Sequence, residues 1–300
     1  AGGLQSVFDN ARELPGYFSL TSTYDGATHS ASPYGLITTV SILAWGLGYF
    51  GMPHILLRFM ATKEEEKLTM SRRIATVWVV ISMAVAVFIG VVGLAMSNRG
   101  VVPVLEGSDS ETIIVQIANV LSSHGILPAL VAGLILAGIL ASTMSTADSQ
   151  LLAASSSVSQ NLLSDFFHIK VSPKTSVIIA RTTVVVISLI AMFIARDPSS
   201  SVFNIVSFAW AGFGAAFGPV VLLALFWRRS NKYGAVAGMA AGGIMVFVWK
   251  YAVRPMGGVW DIYELLPAFL IALAINVIVS LATKQPEESI LEEYDAVRAK

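Results

Sequence analysis

The chain has no cysteine. That excludes disulfides, thiolate metal sites and cysteine nucleophiles. Charge is nearly as scarce. Only 13% of residues are Asp, Glu, Lys or Arg, where a soluble domain carries about a quarter. Net charge is zero, so no polybasic surface argues for nucleic acid. Four histidines (His29, His54, His124, His168) are dispersed, without paired metal-ligand spacing. What remains is apolar. A hydrophobic share of 55% and a mean hydropathy of +0.72 mark a polytopic membrane protein in contact with a lipid bilayer.

Charge-poor windows predict seven spans, at about 35–56, 74–97, 126–162, 174–195, 200–227, 233–252 and 263–283. Seven is odd, so the two ends lie on opposite faces. One set of connections carries fourteen basic residues: Arg58, Lys63, Lys67, Arg72, Arg73, Lys170, Lys174, Arg181, Arg228, Arg229, Lys232, Lys284, Arg298 and Lys300. The other carries five: Arg12, Arg99, Arg196, Lys250 and Arg254. The positive-inside rule then makes 284–300 a cytoplasmic tail, helical in part, and 1–34 an extracellular (periplasmic) loop. The membrane region is 35–283. The long connection 98–125 falls outside and is acidic, with Glu106, Asp109 and Glu111. Residues 1–34 are polar and turn-rich, with Pro15-Gly16 and Asp25-Gly26. With Ala1 in first place and no signal peptide before the first span, this reads as a piece starting in a loop.

The first span is uncharged between Asp25 and Arg58, yet its centre holds Gly46, Gly48, Gly51 and Pro53. These residues suit a continuous helix least. A broken helix in a membrane exposes backbone groups that lipid cannot satisfy, so protein, ligand or water must complete them. In secondary transporters such breaks mark the substrate and ion site. A kinked packing helix is the alternative.

In the third span Ser142, Ser145, Thr146 and Ser149 fall at i, i+3, i+4 and i+7 and share one helical face. A hard monovalent cation wants oxygen ligands and needs no fixed anion if several dipoles converge. Two adjacent hydroxyls and a carbonyl one turn earlier form half a shell; an unwound segment elsewhere supplies the rest. Close packing between helices explains the same residues without a ligand. Asp148 is the one acid well inside a span, which makes it a functional candidate. On a helical wheel it sits about 60° from Ser145. Supporting the stripe or facing an inner vestibule fits that placement better than direct ligation. In the fifth span Gly214, Gly218 and Pro219 predict tight packing and a bend, and Gly238 and Gly242 in the sixth predict packing.

Three runs carry a resemblance: Trp45-Gly-Leu-Gly-Tyr49-Phe-Gly-Met-Pro53-His54-Ile-Leu-Leu-Arg58-Phe-Met, Met144-Ser145-Thr146 with Gln150 beyond it, and the stretch from Ala209 to Leu222. Together they resemble the sodium:solute symporter family over about residues 36–283. The resemblance implies an all-α membrane protein with the LeuT-like inverted-repeat transporter fold. This chain would hold the second repeat plus two extra helices, in seven transmembrane helices. Its first, third and fifth spans become core helices six, eight and ten. Sodium would lie on the hydroxyls of Ser145 and Thr146 and the backbone carbonyl of Ser142. Ser142 replaces an Ala there, which a carbonyl ligand tolerates. Asp148 replaces a small polar residue. Proline-transporting members use the positions of Trp45, Tyr49 and Pro53 for substrate. The implied function is sodium-coupled symport of proline into the cell across the plasma membrane. Its partners are sodium, proline, the bilayer and the N-terminal half of the same transporter, which carries the other sodium ligands. Half a site is not expected to transport alone.

Two other readings keep the fold: another solute (pantothenate, a sugar, a carboxylate), or the transporter-like module of a membrane sensor. No kinase motif follows residue 283. An intramembrane enzyme would need a nucleophile–base or metal constellation; Ser145 has no evident base and the histidines are dispersed, so no enzymatic activity is expected.

Overall fold

The computed structural model describes residues 3–25, 28–169, 171–197 and 201–299. Lys170 and Lys300 of the basic set, Gly26 of the predicted turn and Ala1 lie outside these. In chain order the elements are α1 (Leu4–Arg12), a hairpin of β1 (Ser22–Asp25) and β2 (Ser30–Pro33), α2 (Leu36–Gly48), α3 (Pro53–Met60), α4 (Glu66–Asn98), α5 (Ile113–Ser122), α6 (Ile126–Ser156), α7 (Pro173–Ile194), α8 (Val202–Phe226), α9 (Lys232–Val248), α10 (Leu265–Ala282) and α11 (Glu288–Arg298). Among the described residues, six helical runs are long and apolar enough to cross a membrane. The pair Leu36–Gly51 and Pro53–Met60, bent by 52°, has the form of a broken span or a re-entrant loop; counted as one span it is the seventh. Six of the seven charge-poor windows coincide with these runs, and the bent pair occupies the first window. The connection 98–125, expected as loop, contains a helix. Its residues 113–122 are apolar and bury Ala118.

The chain divides into two compact units. The first holds the residues up to Ser19, Tyr24–Ala31 and Thr62–Val202. Here α1 packs on the end of α4 through Val7, Ala11, Val91 and Ala95, and α5, α6 and α7 follow in series. Helix α6 continues as a π-helix over Ser157–Phe166. The start of α7 is defined locally: the Ser172 hydroxyl accepts from the Thr175 N–H, and Pro173 sits in the first turn, where its missing N–H costs nothing.

The second unit holds Leu20–Thr23, Ser32–Ala61 and the chain from Phe203 onward. Its core joins Ala44 and Met52 of the bent span to Trp210, Ala211 and Ala215 of α8, Val246 of α9, and Leu265, Ala268 and Phe269 of α10. Small residues let the backbones approach, as membrane helices require. A Cβ on Gly214 would press on Gly48, one on Gly218 on Phe269, and one on Gly238 on Asn276. Pro219 lies inside α8. It has no N–H to offer the Ala215 carbonyl one turn earlier. That carbonyl lies against Gly242 of α9, at the spot a Cβ would occupy.

The far ends of these helices are laced together. Asn231 caps α9 by accepting from the Gly234 N–H at 2.9 Å. Its amide nitrogen donates to the carbonyls of Ser280 (3.1 Å) and Lys284 (2.8 Å) at the end of α10. Arg229 donates to the Thr283 carbonyl at 2.7 Å. Arg228 grips Asp295 of α11 with two guanidinium nitrogens. A cavity of about 340 Å³ remains between α11 and the ends of α8 and α9, remote in sequence from every candidate site residue.

Candidate functional site

The break in the first span is a short 3-10 turn, Tyr49–Gly51, followed by Met52 in an extended conformation. Pro53 then opens α3, where its fixed φ suits the first helical turn. Helix α3 has no side-chain cap at its N-terminus. Pro53 has no N–H, and the Ile55 and Leu56 N–H groups turn back to the Met52 carbonyl at 3.0 and 3.1 Å, so what the break offers an anionic group is chiefly the positive end of the helix dipole. On the other side of the break, the Trp45 carbonyl accepts the indole N–H of Trp210 at 3.0 Å. Protein thus completes part of the interrupted ladder, as an apolar surrounding demands. The glycines explain how α8 comes so close. A Cβ on Gly48 would overlap the Trp210 indole, and one on Gly51 would overlap the Phe213 carbonyl.

Aromatic rings line this break. Trp45 stacks on Phe203, Trp210 and Tyr263, with centroids at 5.4, 5.5 and 6.0 Å and planes within 17°. Tyr49, one turn on, meets Trp210 edge-on at 4.8 Å yet stays 51% exposed. Pro53 is exposed as well. The three residues expected to bind solute therefore differ: Trp45 is held in a stack, while Tyr49 and Pro53 present open surface.

In the first unit, Ser142, Ser145, Thr146, Asp148 and Ser149 are all exposed on α6. The Thr146 hydroxyl donates to the Ser142 carbonyl at 3.2 Å, and the Ser149 hydroxyl to the Ser145 carbonyl at 3.0 Å. Hard cations of this size take oxygens at about 2.3–2.6 Å, so neighbouring octahedral ligands lie roughly 3.2–3.7 Å apart. The Ser142 carbonyl and the Thr146 hydroxyl already have that spacing. Rotating the hydroxyl proton away frees both oxygens for one cation. Among the described residues no cluster of three His, Asp or Glu could hold a multivalent metal.

A family model described as "Sodium:solute symporter family" matches residues 1–242. The chain belongs to the sodium:solute symporter family. Within this symporter family it is 40% identical over 269 residues to the sodium/proline symporter of Haemophilus influenzae, covering 89% of this chain and 51% of that protein. It is 39% identical over 254 residues to the osmoregulated proline transporter OpuE of Bacillus subtilis (85% and 50% covered). It is 38% identical over 261 residues to the sodium/proline symporter of Escherichia coli (86% and 50%). The chain spans about half the length of these curated relatives. No solved structure matches.

Three residues of the second unit escaped the sequence reading. Trp210 lay inside the run read as small-residue packing. Tyr263 is 7% exposed, and its hydroxyl donates to the Ser207 carbonyl at 2.6 Å. Glu264 is 1% exposed, so the acid most deeply buried beside a span is this one; Asp148 is exposed. Its proximity to Lys250 and Arg254 in sequence was the only available signal. In the first unit, Glu111 accepts from the Ser201 hydroxyl (2.7 Å) and the Val202 N–H (3.1 Å). A carboxylate there suits the start of α8.

Proposed function

We propose that the protein carrying this chain is a sodium-coupled symporter that takes up L-proline across the plasma membrane. In this reading residues 284–300 are cytoplasmic and residues 1–34 lie outside. The missing half of the relatives' length supplies the first repeat of the inverted-repeat fold. The observation that carries the reading is the break at Met52. An uncapped helix N-terminus follows it, and the Trp45 and Tyr49 rings precede it. A zwitterion needs a positive dipole end for its carboxylate and carbonyl dipoles for its ammonium nitrogen, and a pyrrolidine ring needs apolar walls. The names borne by the relatives support proline as the solute.

Sodium is assigned to the Ser145 and Thr146 hydroxyls and the Ser142 carbonyl, with Asp148 beside them as a support for the hydroxyl face. The driving force suffices. One sodium ion moving down about 100 mV contributes roughly 2.3 kcal/mol. A tenfold gradient adds about 1.4 kcal/mol. Together they sustain roughly 500-fold accumulation at one-to-one coupling. Coupling requires that sodium bind the solute-competent state more tightly than the other.

The test is uptake by the full-length protein in proteoliposomes with imposed gradients. Labelled proline should accumulate with inward sodium and collapse without it. A panel of unlabelled solutes identifies the substrate: displacement by pantothenate, a sugar or a carboxylate at concentrations where proline fails to compete would overturn the proline assignment.

A further inference from the structure

Glu264 opens α10 but does not cap it. Its carboxylate turns to two cations instead: Arg254 at 2.9 Å and Lys250 at 3.8 Å. Glu264 is 1% exposed, whereas Lys250 and Arg254 are 28% and 40% exposed. Arg254 also holds Asp261 at 2.8 Å, closing the connection between α9 and α10 into a loop of charges. Burying a carboxylate costs several kcal/mol in desolvation, and a well-packed apolar residue often serves stability as well or better. Stability alone does not explain an acid at this position; the geometry around it does.

The residues flanking Glu264 are pinned to the bent span and to α8. The Tyr263 N–H donates to the Ser41 hydroxyl at 2.9 Å, and the Tyr263 ring stacks on Trp45. Ser41 and Trp45 are one turn apart on the same face of α2. The Tyr263 hydroxyl reaches the Ser207 carbonyl, and Lys250 sits 3.9 Å above the ring of Phe208, the next residue of α8. The Trp249 indole donates to the Ile262 carbonyl at 3.2 Å. Residues 262–264 thus form a clamp over the first half of the broken span.

We propose that Glu264 is a positioning residue for the solute site: anchored by Arg254 and Lys250, it fixes Tyr263 against Ser41 and Trp45 and so sets the aromatic wall at the break. The part concerning solute rests on the assignment of Trp45 above; the clamp does not.

The absence of cysteine in this chain makes single-cysteine reporters clean. In the full-length protein freed of any other cysteine, Ser41→Cys should react slowly with a maleimide. Adding Glu264→Gln removes the anion that both cations hold and should speed labelling about tenfold, as expected when a local opening becomes less costly. The same Glu264→Gln change should raise the proline KM about fivefold with little change in kcat or in sodium half-saturation. Combined with Trp45→Ala it should add nothing to the KM of Trp45→Ala, because both act through one ring. Glu264→Asp should restore part of the affinity. If Glu264→Gln fails to reach the membrane, Arg254→Gln, which leaves Glu264 with Lys250, takes its place. Unchanged labelling of Ser41→Cys, or KM effects that add, overturns the proposal. Faster labelling with a normal KM in Trp45→Ala overturns the solute assignment and leaves the clamp standing.

Discussion

The bent first span and the hydroxyl-bearing α6 are both polar interruptions of apolar segments, and they are satisfied in opposite ways. At the bend, other parts of the second unit supply what is missing. Trp210 donates to the Trp45 carbonyl, and α8 presses its backbone onto Gly48 and Gly51. On α6 the Thr146 and Ser149 hydroxyls turn inward to their own helix and leave an exposed face. A backbone break cannot wait for a ligand, because unpaired amides in an apolar setting cost too much. A hydroxyl can wait, because it borrows the carbonyl four residues back, as Thr146 and Ser149 do; under the proposed assignment it returns that carbonyl to the ion. The bend should therefore respond to substitution through folding, and the hydroxyl face through ion binding.

The largest effect expected from this contrast is at Gly51. Gly51→Ala in the full-length protein forces a methyl onto the Phe213 backbone and should cost roughly 1–3 kcal/mol or more, as overpacking does. Gly46→Ala is the matched control, since nothing lies within 4 Å of its added Cβ. Thermal unfolding followed by size-exclusion separates the two; equal melting would break the contrast. Next is the double change Ser145→Ala with Thr146→Ala. Sodium half-saturation should rise about tenfold or more, the ratio for ~1.4 kcal/mol of lost coordination, while the melting temperature stays put. Unaltered sodium dependence in uptake assays would reject the ion assignment. Trp210→Phe keeps a ring but removes the donor to Trp45. A lost hydrogen bond of about 1 kcal/mol should weaken proline affinity severalfold and leave sodium affinity almost untouched.

The smallest effect concerns the tail. A hydrogen bond from Arg228, reinforced by its charge, holds the Asp295 carboxyl below the usual carboxylate range. A carboxylate whose folded value is depressed adds its full contribution above the unfolded value and loses it as pH falls through the lowered one. Protection of the Glu288–Arg298 amides, taken relative to the intrinsic exchange rate at each pH, should therefore fall on acidification through that window, and salt should mimic it, since both side chains are more than half exposed. Asp295→Asn should show the lowered protection already at neutral pH. A tail indifferent to all three would mean that Arg228 does not hold it.

The spans were legible in the sequence because length and charge scarcity are local properties. The bend was legible for the same reason. Gly46, Gly48, Gly51 and Pro53 announce a break within ten residues, although the pivot itself falls at Met52, a residue with no such signature. The hydroxyl face followed from helical spacing alone. Trp210 and Tyr263 were not legible, because their partners lie 165 and 222 residues away. Glu264 looked like an ordinary charge at a span end. Only the folded arrangement of Lys250 and Arg254 around it reveals a buried carboxylate.

Pro219 has one more consequence. The carbonyl it strands on Ala215 rests on the bare backbone of Gly242, where a Cα–H can meet it. The rung of α8 that Pro219 interrupts is thus also a point of close contact with α9. A swing of α8 about this level must either carry α9 along or glide across a surface with no side chain to catch it, so the pivot and the bearing are built from the same pair of residues.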